Sequence, residues 1–116
     1  MLVTSCMLGQ NKNDIQIDAF QKKIASENYT LVDVRTADEY IDGHLEGAVN
    51  IDYFSSTFSD DISKLGLETP VLVYCRSGNR SGKSMKIMYD IGFKEVKNLI
   101  GGYKGWVSEN NSVIKE

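Results

Sequence analysis

The chain has 116 residues, 41% hydrophobic and 25% charged, with a formal net charge of −3. That length reads as one domain with enough apolar content to bury a core without metal or disulfide staples. The acidic balance leaves no electrostatic footprint for nucleic acid, and no apolar stretch is long enough to span a bilayer.

Residues 1–13 read as a disordered leader preceding a domain over 14–116. Within the leader, Val3-Thr4-Ser5-Cys6 is similar to the end of a bacterial lipoprotein signal, where the cysteine becomes lipidated, and residues 9–14 would suit a tether. A signal also requires a basic and an apolar segment, which the five residues before Cys6 cannot supply. A trimmed precursor would place the chain at the bacterial envelope or periplasm; a chance likeness, in the cytoplasm.

Asp14–Ile17 reads as a short edge strand. Asp18 is a candidate N-cap for a helix from Ala19 to about Ser26, with Phe20 and Ile24 at helical spacing. Thr30–Val34 is a strand. Thr36 and Glu39 form a capping box for a short helix to about Ile41, which Asp42-Gly43 ends. Gly47–Ile51 is another strand, and Phe54–Leu65 carries a looser helical pattern. After Pro70 comes the strand Val71–Tyr74. Ser81–Ile91 is a helix with Met85, Met88 and Ile91 on one face and Gly92 past its end. Glu95–Leu99 is the next strand. Gly101-Gly102 makes a turn and Tyr103–Val107 a last short helix, with fraying expected after Ser108. Strands alternating with helices imply an α/β sandwich around a mainly parallel sheet, in which ligands bind beyond the carboxyl ends of strands.

One such end carries chemistry. The apolar run 71–74 stops at Cys75, and a polar loop with two arginines leads into a helix. Free amides and the dipole at a helix start favour negative charge, and a thiol placed there ionises below its free value of about 8.5. The bland alternative is an inert buried thiol. Against it, the six residues after Cys75 are all polar or glycine. From Cys75 to Tyr89 there are four cations, Arg76, Arg80, Lys83 and Lys86, and no acid, which points to a small-anion site. Arg76 and Arg80 can clamp an anionic substrate bidentately. Gly78 permits a backbone turn, and Ser77, Asn79 and Ser81 can donate to an anion or cap the helix.

The chain's one histidine, His44, reads as a loop residue bonded to backbone rather than a general base for Cys75. The thiolate would then be stabilised by loop amides and the helix end, which suits attack on sulfane sulfur better than amide hydrolysis. Asp33, Arg35 and Glu39 form a second group with a supporting role: Arg35 and Glu39, four apart, are placed to pair, and Asp33 to bond loop amides. Trp106 reads as core. A disulfide between Cys6 and Cys75 matches no scaffold spacing, and no cluster has zinc-ligand spacing.

Four segments in order resemble the single-domain rhodanese-like (thiosulfate sulfurtransferase) family over about residues 14–107. These are Leu31–Arg35 with Glu39-Tyr40, Gly43–Ile51, Val73–Ser81 and Gly101–Trp106. The resemblance implies a three-layer sandwich on a five-stranded, mainly parallel sheet. It implies that Cys75 takes the outer sulfur of thiosulfate or a similar donor as a persulfide and passes it to cyanide or a thiol, including a protein thiol. In that scheme Arg76 and Arg80 orient the donor, the amides from Arg76 to Ser81 hold the persulfide, and no metal or organic cofactor takes part. Phosphatases and arsenate reductases of related fold place arginine after a cysteine and five residues; here Ser81 holds that offset and Arg80 comes one earlier, a shorter loop that suits sulfur better than phosphate. The third reading is a non-catalytic carrier or regulatory module, and such domains commonly lack the cysteine.

Overall fold

The computed structural model describes residues 12–26 and 28–115. Five strands, β1 (Asp14–Ile15), β2 (Thr30–Asp33), β3 (Val49–Asn50), β4 (Val71–Tyr74) and β5 (Val96–Leu99), form one sheet in the order β1-β5-β4-β2-β3. Every pairing is parallel. Five helices connect and cover them: α1 (Ile17–Ala25), α2 (Ala37–Asp42), α3 (Phe58–Ser63), α4 (Asn79–Ile91) and α5 (Gly102–Ser108). The three-layer α/β architecture expected from the alternating pattern is the one found.

Period-two alternation along the central strand divides the interior in two. Val71, Val73 and Cys75 point into a core with Phe58 and Ile62 of α3 and Met85 and Met88 of α4. Leu72 and Tyr74 point into the opposite core, with Phe20 of α1 and Trp106 of α5. All four residues of β4 are fully buried, so this strand reads as a continuous apolar run rather than an alternating one.

Topology then selects the site. The chain runs outward from β2 to β3, returns past β2 to β4, and proceeds the other way to β5. Strand order therefore reverses between β2 and β4, and a crevice at their carboxyl ends is where open parallel sheets bind ligands. Asp33 lies opposite Tyr74 in the register of those two strands, so Val34 and Cys75 leave the sheet side by side and share one core.

Several local expectations shift. α1 is capped by Gln16, whose backbone is extended, and begins at Ile17. Asp18 lies inside the first turn, its carboxylate accepting from the Ala19 amide at 3.0 Å. The Gly47–Ile51 strand contracts to two residues, and the 54–65 pattern yields a helix only from Phe58 because Phe54–Thr57 are spent on turns, with Ser55 N bonded to Asp52 O. α4 starts two residues earlier than expected, with Gly78 at φ 109° as its N-cap. The segment after Ser108 is tied back rather than frayed. The Trp106 indole N–H donates to Ser112 O at 3.0 Å, and Ile114 forms a two-bond antiparallel bridge with His44. Of the leader, Cys6 and its signal-like neighbours lie outside the described residues, whereas Asn13 O accepts the Asn98 amide at 2.7 Å. No helix among the described residues is long and apolar enough to cross a membrane.

Candidate active site

Cys75 is a free thiol, 1% exposed, at the end of β4. Its sulfur accepts the Gly78 amide at 3.0 Å and the Ser81 hydroxyl at 3.3 Å. Burial pushes the thiol's pKa up, but the Ser81 hydroxyl and the amides of Ser81, Gly78 and Ser77 pull it down further, and the balance lies below the ordinary value. Ser81 is completely buried, so of the two roles open to it the structure assigns donation to the sulfur.

Loop conformation follows from what holds its other side. The carbonyls of Cys75 and Arg76 accept the amides of Tyr103 and Lys104 at 2.8 and 2.9 Å, in the first turn of α5. With these carbonyls tied outward, the loop amides are left to face the sulfur. The close approach depends on Gly102: its φ is +58°, and a Cβ there would sit 2.5 Å from Cys75 O. At Gly78 the left-handed backbone turns the chain from strand end into α4, aiming that residue's N–H at the thiol. The sequence signals at Gly101-Gly102 are the glycine pair and the family-like segment Gly101–Trp106, and neither links this turn to the Cys75 loop.

The carboxyl end of β2 is built differently. Asp33 and Arg35, both buried, form a fork in which Arg35 Nη2 lies 2.6 Å from Asp33 Oδ2 and Nε lies 3.0 Å from Oδ1. Asp33 Oδ1 also accepts the Arg35 amide at 2.9 Å, the backbone contact expected of it. Arg35 Nη2 donates to Gly43 O, and its guanidinium lies 4.2 Å from the Tyr103 ring centroid and 5.6 Å from that of Tyr74. Arg35 does not pair with Glu39. The capping box is present, with Glu39 N donating to Thr36 Oγ1 and Thr36 N to Glu39 Oε1, but the Glu39 carboxylate turns to Arg80. Nη1 donates to Oε1 at 2.8 Å and Nη2 to Oε2 at 3.0 Å.

That fork changes the expectation for Arg80, whose guanidinium is engaged by a protein carboxylate and lies 5.8 Å from the Phe54 ring. Arg76 is exposed and, among the described residues, forms no ion pair. Ser77 and Asn79 are exposed at the loop surface. His44 is buried with Nδ1 2.8 Å from Tyr40 O, its ring stacked on Tyr40, as expected of a structural histidine. Trp106 is in the core.

Comparison with known proteins agrees with this geometry. The model of the family described as "Rhodanese-like domain" matches residues 16–109. Thiosulfate sulfurtransferase 18 of Arabidopsis thaliana is 35% identical over 115 residues, covering 88% of this chain and 85% of its own. Thiosulfate sulfurtransferase GlpE of Pseudomonas entomophila is 33% identical, covering 73% of this chain and 76% of its own. The crystal structure of a rhodanese-related protein from Thermoplasma volcanium superposes with a TM-score of 0.79 at 26% identity, covering 90% of this chain and 99% of that one. A buried cysteine cradled by amides at the switch point of a five-stranded parallel sheet, together with these matches, makes the chain a member of the rhodanese-like domain family, a family of sulfurtransferases.

Proposed function

We propose that the protein moves sulfane sulfur from thiosulfate or a similar anionic donor to a thiophilic acceptor through a persulfide on Cys75. The observation that carries this reading is the sulfur's set of donors. The Gly78 amide and the Ser81 hydroxyl stabilise a thiolate directly, and no base bonds the sulfur among the described residues. Such a nucleophile suits a soft, activated sulfur, because the bond attacked needs no protonation of its leaving group.

The Cys75 thiolate attacks the outer sulfur of thiosulfate. A new S–S bond forms to Cys75, the donor's S–S bond breaks, and sulfite departs with its electron pair. The terminal sulfur of the persulfide carries the charge and takes over the amides of residues 76–81. An acceptor thiolate or cyanide then attacks that terminal sulfur, leaving as an acceptor persulfide or thiocyanate and restoring the Cys75 thiolate. Arg76, exposed and without an ion pair among the described residues, meets the donor's oxyanion. A phosphatase or arsenate reductase would need an arginine free to grip a tetrahedral oxyanion, and the Glu39 fork on Arg80 disfavours that alternative.

Intact mass after incubation with thiosulfate tests the proposal. A gain of one sulfur atom, reversed by a reducing thiol and absent in Cys75→Ser, supports it. No gain from thiosulfate or polysulfide overturns it and leaves an anion-binding cysteine without sulfur transfer.

A further inference from the structure

One charged pair stands beside the donors of Cys75 without bonding its sulfur. Arg80 stands in the first turn of α4, one residue before Ser81, so it shares a helix end with the thiol's own donors. A lone cation at a helix N-terminus is disfavoured by the dipole, and Arg80 reaches its compensating anion far away in sequence, on α2. The fork to Glu39 uses both terminal nitrogens, and Phe54, itself 67% exposed, lies over the guanidinium. The two side chains are only 19% and 29% exposed. Glu39 is in turn fixed by the Thr36 amide and hydroxyl, both donating to Oε1. The guanidinium is therefore held from its edge by a carboxylate anchored in a second helix and covered on its face by Phe54 from the turn before α3.

Charges at the site mouth then sum differently from the sequence. Glu39 offsets the charge of Arg80, which interacts with Cys75, while Arg76 in the loop forms no ion pair among the described residues. Arg76, Lys83, Lys86 and Lys104 are exposed, where salt screens them. A dianion approaching the thiolate therefore meets Arg80 with its charge already offset by Glu39.

We propose that Glu39 is a specificity-determining residue: by keeping Arg80 in a closed ion pair it withholds that guanidinium from the donor and tunes the site toward singly charged sulfane donors over dianionic ones. This rests on the sulfur-transfer reading above and adds the charge class of the donor. Glu39 touches neither donor nor sulfur; it acts through Arg80, as a positioning residue.

The test is a four-protein cycle of wild type, Glu39→Gln, Arg80→Gln and the double variant. Each is assayed with thiosulfate, a dianion, and with methanethiosulfonate, a monoanion, and the readout is the ratio of the two kcat/KM values. Glutamine at 39 keeps an oxygen for the Thr36 amide, so the cap survives; thermal melting verifies the fold. In Glu39→Gln the released guanidinium raises the thiosulfate preference roughly three- to tenfold, the scale of one added charge near the surface at low salt. In Arg80→Gln the uncovered Glu39 carboxylate lowers it by a similar factor. The double variant returns the ratio to within about twofold of wild type, a rescue that a merely structural pair does not produce.

Equal low ratios in Arg80→Gln and the double variant would mean Arg80 touches the donor directly, and a flat ratio across all four would mean the pair only supports the fold; either overturns the proposal. A second readout needs no turnover: protection of Cys75 from iodoacetamide by sulfate compared with methanesulfonate. If wild type accepts sulfur from neither donor while this protection ratio follows the cycle, the sulfur-transfer reading fails and the role of Glu39 stands.

Discussion

Strands β2 and β4 lie side by side, and each ends in a buried reactive or charged group, yet the two ends are opposites. At the end of β2, every charge is answered. Asp33 has Arg35, Arg35 has Asp33, a carbonyl and two aromatic rings. At the end of β4, donors converge on a sulfur with no cation bonded to it. The first arrangement is closed on itself, its carboxylate and guanidinium each held by the other. The second is open: it has stabilising dipoles assembled for a negative charge that is made, lost and made again. Equal burial thus accompanies unequal roles, and the difference lies in whether the polar groups cancel among themselves.

Breaking the open end has the largest effect on activity and the smallest on folding. Cys75→Ser is expected to lower sulfur transfer by more than about a thousandfold, since a hydroxyl in the same cradle is not ionised at neutral pH. Its melting temperature stays close to that of wild type. Residual turnover well above that level in the folded variant would show that another group carries the sulfur.

Breaking the closed end does the reverse. Asp33→Ala leaves the Arg35 cation buried without its counter-ion, which typically costs about 3–5 kcal/mol, a large share of the roughly 5–15 kcal/mol that holds a domain together. Urea unfolding measures it, and a loss below about 1 kcal/mol would mean that Arg35 finds water on relaxation. Arg76→Ala sharpens the contrast, because that arginine is exposed. It leaves stability within about 0.5 kcal/mol and raises the donor KM about tenfold, as expected for loss of one charge-assisted contact. An unchanged KM would remove Arg76 from the donor site.

Smaller still is the effect of thinning the cradle. The Ser81 hydroxyl heads the contributions that lower the Cys75 pKa against burial. In Ser81→Ala that donor is gone and burial remains, so the thiolate forms at higher pH. The profile of iodoacetamide alkylation against pH should move alkaline. A profile that does not move would assign the thiolate to the backbone amides alone.

The contrast between the two ends also explains what was legible in the sequence. The strand Val71–Tyr74 and the capping box Thr36–Glu39 were readable because each is fixed by adjacent residues: a continuous buried run in one case, a three-residue spacing in the other. Cys75 was readable because a strand end meeting a helix start is a local event. Charge pairing was not. The spacing of Arg35 and Glu39 suggested a helical pair, but Arg35 precedes α2 and turns back to Asp33, while Glu39 reaches across 41 residues to Arg80. No local rule contains that distance; it follows from the return of the chain past β2. The tail after Ser108 looked free for the same reason, since its bridging partner His44 is brought to it only by the fold.

The Glu39–Arg80 fork stands between the two ends, joining α2 to the start of α4, and its acid response separates their contributions. The Arg80 hydrogen bonds, opposed by partial burial and assisted by the Thr36 amide and hydroxyl, hold the Glu39 carboxyl down at about 2, against an ordinary carboxylate near 4.5. A carboxyl depressed in the folded state adds stability in full above its unfolded pKa and loses it as pH falls through the folded one. The window therefore runs from about pH 5 down to 2. A shift of that size corresponds to about 3 kcal/mol at most, and solvent screening of a partly exposed pair brings it to about 1–2 kcal/mol. Urea midpoints at pH 6 and pH 3 should fall further for wild type than for Glu39→Gln, which has no proton to gain at that position. Equal falls would place the acid sensitivity in other carboxylates, and the fork would then join the two helices without holding them.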